Sequence, residues 1–281
     1  MAGEQAPIPP RLVGRWQLVV VAVALGTVAI LVALADAFGW SIAFEWLVIT
    51  TLPIGYLLVT VRRLLAYNLP PAEKGSQPTT ADGGHPVHPT LGVANGLTIS
   101  RGWLYACLAG FVLFVPPTGS PWRWLPAILY GTGALLDWGD GFVAQQLGRP
   151  TELGSRLDMA FDTMGFLVAP LVAVAWGALP AWYLSISAAR YLFRLGRAGR
   201  RLRGLALAPL SPNRLRRPLA ALQMVVIAVA LAPRTSAQVM WPLATVAMVP
   251  SLAVFGWDYL VVSNRVGGPN ANDARRRRLV Q

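Results

Sequence analysis

Four aspartates are the residues of this sequence best suited to do chemistry. Asp137 and Asp140 lie near the end of one long apolar stretch, and Asp158 and Asp162 lie near the start of the next. Spacings of i,i+3 and i,i+4 put each pair on one face of a helix. Two facing pairs would form a cage of carboxylate oxygens, the ligands that Mg²⁺ and Mn²⁺ prefer, and two such ions about 3.5–4 Å apart are a recurring device for phosphoryl transfer. The spacing therefore predicts a divalent-metal site.

The composition indicates a membrane protein, which makes these acids unusual. Hydrophobic residues make up 55% of the sequence and charged residues only 13%, whereas soluble domains interrupt their apolar segments more often with charge. An aspartate inside a membrane-spanning helix costs about 2.5–3.5 kcal/mol on insertion scales, so it is rarely kept without a partner or a task. We therefore expect the four aspartates to be functional.

Uncharged windows predict an all-α, polytopic transmembrane bundle of eight helices. The predicted spans lie near residues 16–35, 46–61, 102–115, 124–145, 156–176, 181–197, 218–232 and 241–259. Several are shorter than the roughly 20 residues that a perpendicular span needs. We expect their polar ends to line a wet cavity that is walled by protein.

The arginines predict the orientation of these helices. They cluster before the first span, at Arg62 and Arg63, between residues 190 and 217, and in the run at 275–278. The positive-inside rule then places both termini, and the helix ends that carry the aspartates, on the cytoplasmic side. Topology and contact with anionic membrane lipids explain most of the net charge of +12, and since no nucleic-acid recognition fold is evident we expect no nucleic-acid partner.

The sequence divides into four parts. We predict an N-terminal transmembrane hairpin at residues 1–63, a flexible cytoplasmic linker with Pro-Pro and Gly-Gly steps at 64–90, a six-helix core at 91–264 and a basic cytoplasmic tail at 265–281. All four aspartates of the predicted metal site fall in the core.

Small residues accompany the acids. Gly141 and Ala144 follow Asp140 along one helix face, and Gly154 precedes Asp158 by one turn. The helix surfaces beside the carboxylates are therefore nearly bare, and a flat nucleotide could lie there. Small residues also let transmembrane helices approach closely, so the pattern by itself fits either interpretation.

The complete pattern resembles the signature of the CDP-alcohol phosphatidyltransferase family, integral membrane enzymes with a six-helix core. It reads Asp137-x2-Asp140-Gly141-x2-Ala144-x9-Gly154-x3-Asp158-x3-Asp162. The segment Asn95-Gly-Leu-Thr98-x-x-Arg101 opens the first core span, as the corresponding segment does in the family. The resemblance covers roughly residues 90–264 and leaves the N-terminal hairpin outside.

This resemblance implies transfer of a phosphatidyl group from a CDP-linked lipid donor, typically CDP-diacylglycerol, to a small alcohol acceptor with release of CMP. The four aspartates would hold two Mg²⁺ or Mn²⁺ ions over the donor's diphosphate, and Asp162, the last aspartate of the motif, would be the catalytic base. The remaining motif residues would bind the donor: Asn95, Thr98, Arg101, Gly141, Ala144 and Gly154. Since relatives are commonly dimeric, a homodimer is also implied.

One position departs from the family pattern. The motif usually continues after Ala144 with arginine, but this chain has Gln145, which can donate hydrogen bonds to a phosphate and brings no charge. Arg149 or Arg156 could compensate from the connecting loop. Otherwise the change predicts slow turnover or altered specificity.

A stripe of arginines bears on the identity of the acceptor alcohol. Arg190, Arg194 and Arg197 recur at i, i+4 and i+7 on the fourth core helix, and this basic stripe would suit a phosphorylated alcohol such as glycerol 3-phosphate or an inositol phosphate. The same arginines could equally set the membrane orientation and contact lipid headgroups. The sequence leaves both interpretations open.

Two other protein classes are compatible with a polytopic chain. A membrane transporter could place acids beside a cavity, but transporter sites tend toward the bilayer midplane and use broken helices, whereas these acids lie at predicted cytoplasmic ends. A non-catalytic membrane scaffold is slightly favoured by Gln145 and is opposed by the four metal-type carboxylates. Both remain alternatives to the transferase.

Overall fold

The computed structural model describes residues 8–70, 87–146, 150–205, 207 and 214–263, without the side chains of residues 140–146. Within these ranges the protein is all-α, with eight α-helices and no strand. The helices are α1 (Pro10–Phe38), α2 (Trp40–Leu64), α3 (Gly92–Ala109), α4 (Leu125–Gln146), α5 (Glu152–Ala175), α6 (Ser185–Leu202), α7 (Arg216–Leu231) and α8 (Ala237–Val262). Each predicted span overlaps one of them, which confirms the helical bundle.

Within the described ranges, four helices are long and apolar enough to cross a membrane. They are α1, α2 with its 3₁₀ extension to Tyr67, α5 and α8. The helix α3 begins ten residues before the apolar stretch predicted there, because its polar first turns, residues 92–101, are helical as well. Of the predicted linker at 64–90 only the two ends belong to the described ranges, and the tail at 265–281 lies outside them. The four-part domain division therefore stays a prediction.

The helices form two compact units. The first contains α1 to α5 together with residues 231–233, and the second contains α6, α8 and nearly all of α7. The motif aspartates and the segment at 95–101 belong to the first unit. The stripe of Arg190, Arg194 and Arg197 belongs to the second.

The centre of the first unit is α3, which packs against α2, α4 and α5. Glycines make this close packing possible. A methyl group added at Gly102 would lie 2.9 Å from Leu57 of α2 and 2.9 Å from Phe161 of α5. Farther along α3, the ring of Tyr105 occupies the space that a side chain at Gly133 of α4 or Gly165 of α5 would need.

The N-terminal hairpin is part of this packing. Trp46 of α2 is fully buried and donates a hydrogen bond from Nε1 to the carbonyl oxygen of Cys107 at 3.1 Å. Trp103 of α3 donates from Nε1 to Oγ1 of Thr27 in α1, also at 3.1 Å. Because tryptophan combines a large apolar ring with one polar N–H, each contact joins two helices by apolar packing and by a directional hydrogen bond.

Polar groups also join the helices of the second unit. Gln223 of α7 accepts a hydrogen bond from the Tyr183 hydroxyl and donates to the carbonyl oxygen of Ala247 at 2.7 Å and to Ser251 Oγ at 3.0 Å. Arg216 and the buried Asp258 form a two-bond ion pair, with both N···O distances at 2.7 Å. Satisfied pairs of this kind allow polar side chains to remain inside a bundle.

The close crossing of α2, α3 and α5 predicts a sharp effect of a single methyl group. We expect Gly102→Ala to lower the free energy of unfolding by about 1–3 kcal/mol, because the added carbon must displace Leu57 and Phe161 in a packed interior. Thermal unfolding of the detergent-solubilised protein measures this change.

The matched control is Gly96→Ala on the same helix. Nothing lies within 4 Å of a methyl group added at Gly96, so only helix propensity changes there, by up to about 1 kcal/mol in the stabilising direction. If Gly102→Ala were as stable as Gly96→Ala, the close crossing would be contradicted.

Candidate functional site

Three helices of the first unit bring the candidate site together. Asp137 lies in the second half of α4, and Asp158 and Asp162 lie one turn apart on α5. The N-cap of α5 is Thr151, whose Oγ1 accepts a hydrogen bond from the backbone N–H of Gly154 at 3.0 Å. This cap fixes where α5 begins, about two turns before Asp158.

The three carboxylates converge. One oxygen from each of Asp137, Asp158 and Asp162 lies within 4.8 Å of the others. Their side chains are partly exposed, at 29%, 46% and 27%. The cluster can therefore be reached from outside the protein.

The guanidinium of Arg101 on α3 joins these carboxylates and is itself fully buried. Its Nη1 donates to Oδ1 of Asp137, and its Nη2 donates to Oδ1 of Asp158 at 2.6 Å. Oδ1 of Asp162 lies 3.3 Å from Nη2. A buried cation is tolerated only when it is paired and hydrogen-bonded, and these acids meet that requirement.

The donor atoms suit a divalent cation. Three carboxylates outnumber the one guanidinium, so the cluster keeps negative charge that a cation would neutralise. Oxygen ligands lie at about 2.0–2.6 Å from Mg²⁺ or Ca²⁺, so oxygens within 4.8 Å of one another can share one ion. Asp140 follows Asp137 on α4, but its side chain lies outside the described part of the chain, and the second ion stays a prediction.

Asn95 and Thr98, predicted to bind the donor, are buried and bonded within the protein. The Asn95 Nδ2 group donates to Thr151 Oγ1 at 3.2 Å and to Asn68 Oδ1 at 3.3 Å, and Thr98 Oγ1 donates to the carbonyl oxygen of Ala94 at 3.1 Å. Contact of Asn95, Thr98 and Arg101 with the donor is not tested by these bonds and stays a prediction.

Gly154 has a packing reason to be small. A methyl group there would lie 2.6 Å from Oδ1 of Asn95, so glycine permits the close approach of α5 to α3. This observation concerns packing alone, and a nucleotide beside Gly154 stays a prediction.

The remaining predicted residues are not joined to this cluster by any described contact. The side chains of Gly141, Ala144 and Gln145 and the whole of Arg149 lie outside the described residues. Arg190, Arg194 and Arg197 lie on α6, with Arg194 exposed and the other two half-buried. Their role toward the acceptor stays a prediction.

Two residues of the site's surroundings were missed by the sequence interpretation. Thr151 could have been found, because a threonine between Pro150 and Glu152 at the start of an apolar run is typical of a helix N-cap. Asn68 carries no comparable signal. Only the fold shows that this asparagine is buried beside Asn95.

Known proteins support the interpretation of this geometry. Three curated relatives, each named "Putative cardiolipin synthase" and found in Mycobacterium tuberculosis and Mycobacterium bovis, are 33% identical to this chain over 94 residues. The match covers 34% of this chain and 43% of the relatives' length. The sequence pattern described as CDP-alcohol phosphatidyltransferase matches residues 91–257.

That match covers more than half of the chain and includes Arg101, Asp137, Asp158 and Asp162, whereas the N-terminal hairpin precedes it. A match of this extent, over the helices that bring the carboxylates together, identifies the family. The chain belongs to the CDP-alcohol phosphatidyltransferase family.

Proposed function

We propose that this integral membrane protein transfers a phosphatidyl group from CDP-diacylglycerol to an alcohol, with release of CMP, in phospholipid biosynthesis. The observation that carries the proposal is the convergence of Asp137, Asp158 and Asp162 from two helices around the buried Arg101. Hard oxygen donors, partial exposure and excess negative charge suit a site that holds a diphosphate through divalent ions.

The four motif aspartates, Asp140 included, would hold two Mg²⁺ or Mn²⁺ ions. When bound, such ions neutralise the charge that develops on the diphosphate as it is cleaved. Arg101 would keep the carboxylates of Asp137 and Asp158 in place from the buried side. The neutral motif residues, Asn95, Thr98, Gly141, Ala144 and Gly154, would shape the donor's binding surface together with Arg101.

Asp162 is the proposed catalytic base. Its Oδ1 lies 3.3 Å from Nη2 of Arg101, and its side chain is 27% exposed, so an acceptor can approach it. A carboxylate of Asp162 would take the proton of the acceptor hydroxyl while the alcohol oxygen forms a bond to the β-phosphorus. The bond from that phosphorus to the CMP oxygen breaks, and CMP leaves with the bonding electrons.

The acceptor and the membrane orientation complete the proposal. The basic stripe of α6 supports a phosphorylated alcohol such as glycerol 3-phosphate or an inositol phosphate. The relatives' name favours a second candidate, phosphatidylglycerol, since cardiolipin joins two phosphatidyl groups through glycerol. We also propose cytoplasmic termini and a cytoplasmic site on the positive-inside rule, and a homodimer on family resemblance alone.

One assay tests the reaction class and the acceptor together. The purified protein is supplied with CDP-diacylglycerol, Mg²⁺ or Mn²⁺, and each of the three acceptors in turn, while CMP and the lipid product are measured. We expect metal-dependent CMP release with one acceptor. Absence of CMP release with all of them would reject the reaction with these substrates and favour the transporter or scaffold alternatives.

Asp162→Asn tests the proposed base. We expect turnover to fall below detection, whereas the unfolding temperature and CDP-diacylglycerol binding stay close to those of the wild type, because the amide keeps the shape of the side chain and cannot take a proton at neutral pH. Asp36→Asn is the matched control, since Asp36 is exposed on α1. Normal turnover by Asp162→Asn would remove Asp162 from the mechanism.

Arg101→Met tests the buried cation. Without the guanidinium the carboxylates repel one another. We expect the free energy of unfolding to fall by at most about 3–5 kcal/mol, the value typical of a broken buried ion pair. We expect a lower unfolding temperature in EDTA and a larger recovery on adding Mn²⁺ than the wild type shows, since the ion supplies charge to the same oxygens.

The matched control for this change is Arg156→Met. Arg156 lies on the surface of α5 and pairs with Glu152 at 3.0 Å, and such surface pairs contribute only about 0–1 kcal/mol. If Arg101→Met were no less stable in EDTA than Arg156→Met, Arg101 would not hold the cluster together.

Arg194→Gln tests the acceptor stripe. If the stripe binds a phosphorylated alcohol, we expect the KM for that acceptor to rise by about tenfold, the effect of losing about 1.4 kcal/mol of binding, with little change in the KM for CDP-diacylglycerol. Equal changes in both constants would favour the alternative role in lipid contact.

A further inference from the structure

The segment that follows α2 packs on the first turns of two site-bearing helices. Asn68, the residue after the 3₁₀ turn Leu65–Tyr67, is fully buried. Its Nδ2 donates to the carbonyl oxygens of His88 at 2.9 Å and Thr90 at 2.8 Å, and its Oδ1 accepts from Asn95 at 3.3 Å. One side chain thus joins the chain before α3 to α3 itself.

The same segment reaches the start of α5. The carbonyl oxygen of Leu69 accepts the backbone N–H of Glu152 at 2.9 Å, one of the N–H groups that a helix cannot satisfy internally. Asn95 bonds the hydroxyl of the N-cap Thr151 at 3.2 Å. The centroid of the Tyr67 ring also lies 3.7 Å from the guanidinium carbon of Arg156, a cation–π contact at the exposed surface of α5.

These attachments lie close to the site along both helices. Arg101 comes six residues after Asn95 on α3, and Asp158 comes seven residues after Thr151, about two turns of helix in each case. A hydrogen-bonded helix transmits the position of its first turn to the next two turns. A shift of α5 against α3 at the level of Asn95 and Thr151 would therefore change the distances between Arg101 and the carboxylates.

We propose that Asn68 is a positioning residue of the metal site. Its hydrogen bond from Asn95 holds the side chain that bonds Thr151, and its neighbour Leu69 bonds Glu152. Through these contacts Asn68 sets the register of α5 against α3, and this register sets the spacing of Asp158 and Asp162 around Arg101. The proposal rests on the proposed function, because it assigns the register a role in metal binding. It also gives a task at the site to the segment between the N-terminal hairpin and α3, which precedes the matched stretch at 91–257.

The test compares Asn68→Ala with Thr27→Ala. Thr27 is also buried and accepts the bond from Trp103, so each variant loses a hydrogen bond to α3. Asn68→Ala also loses the bonds to His88 and Thr90. We expect both to lower the unfolding temperature. Only Asn68→Ala should weaken Mn²⁺ binding to the substrate-free protein, measured by electron paramagnetic resonance titration. We expect a loss of about tenfold in affinity, which is typical when the residues that orient metal ligands are changed. Only this variant should also speed hydrogen exchange in residues 152–160.

A second pair of variants acts on the same network with little change of shape. Thr151→Val removes the hydroxyl that bonds Asn95 and should weaken Mn²⁺ binding in the same direction. Thr151→Ser keeps the hydroxyl and should restore wild-type affinity. A general loss of packing would not weaken Mn²⁺ binding in Thr151→Val while leaving it unchanged in Thr151→Ser.

The outcomes separate this proposal from the proposed function. Failure of the wild type to release CMP would reject the proposed function, whereas Mn²⁺ titration and hydrogen exchange judge Asn68 without any turnover. Wild-type Mn²⁺ affinity in Asn68→Ala, an equal loss in Thr27→Ala, or a wild-type protein that binds no Mn²⁺ would each overturn the positioning role.

Discussion

The ion pairing of one buried guanidinium with three carboxylates is the constraint on which the first unit depends. Arg101 has no exposed surface, and the acids that neutralise it come from α4 and α5. Burying a charge is costly unless its partners are in place. The positions of α3, α4 and α5 along their axes are therefore fixed by the need to bring the carboxylates to Arg101. The glycines at 102, 133 and 165 make that possible, because they let helix backbones and the Tyr105 ring approach closely.

The same oxygen atoms have a structural and a chemical use. The carboxylates satisfy Arg101 on the buried side, yet each stays partly exposed and together they exceed its charge. A polar cluster of this kind can be retained in a membrane protein because the cost of its burial is shared among its members. Membership of the CDP-alcohol phosphatidyltransferase family fits this arrangement, since transfer from a CDP-linked donor requires control of diphosphate charge.

The N-terminal hairpin belongs to the same packing as the site. It lies before the stretch that matches the family, yet Trp46 and Thr27 connect it to α3 through hydrogen bonds. Asn68, which follows the hairpin, bonds Asn95 of α3. The second unit is held by its own polar contacts, with Gln223 and the pair of Arg216 and Asp258 at their centre. Each unit therefore combines apolar packing with a few satisfied polar groups, as bundles in membranes generally do.

The sequence by itself determined the eight helices and the grouping of Asp137, Asp158 and Asp162, because hydropathy sets spans and helical periodicity sets faces. It also indicated the family, through residues spaced along two neighbouring helices. Only the tertiary structure decided that Arg101 sits among the carboxylates, that Asn68 meets Asn95, and that Asn95 meets Thr151. Asn68 lies 27 residues from Asn95 and Asn95 lies 56 from Thr151, and no local pattern specifies which helix faces meet over such separations. That choice is made by close packing and by the need to pair every buried polar group.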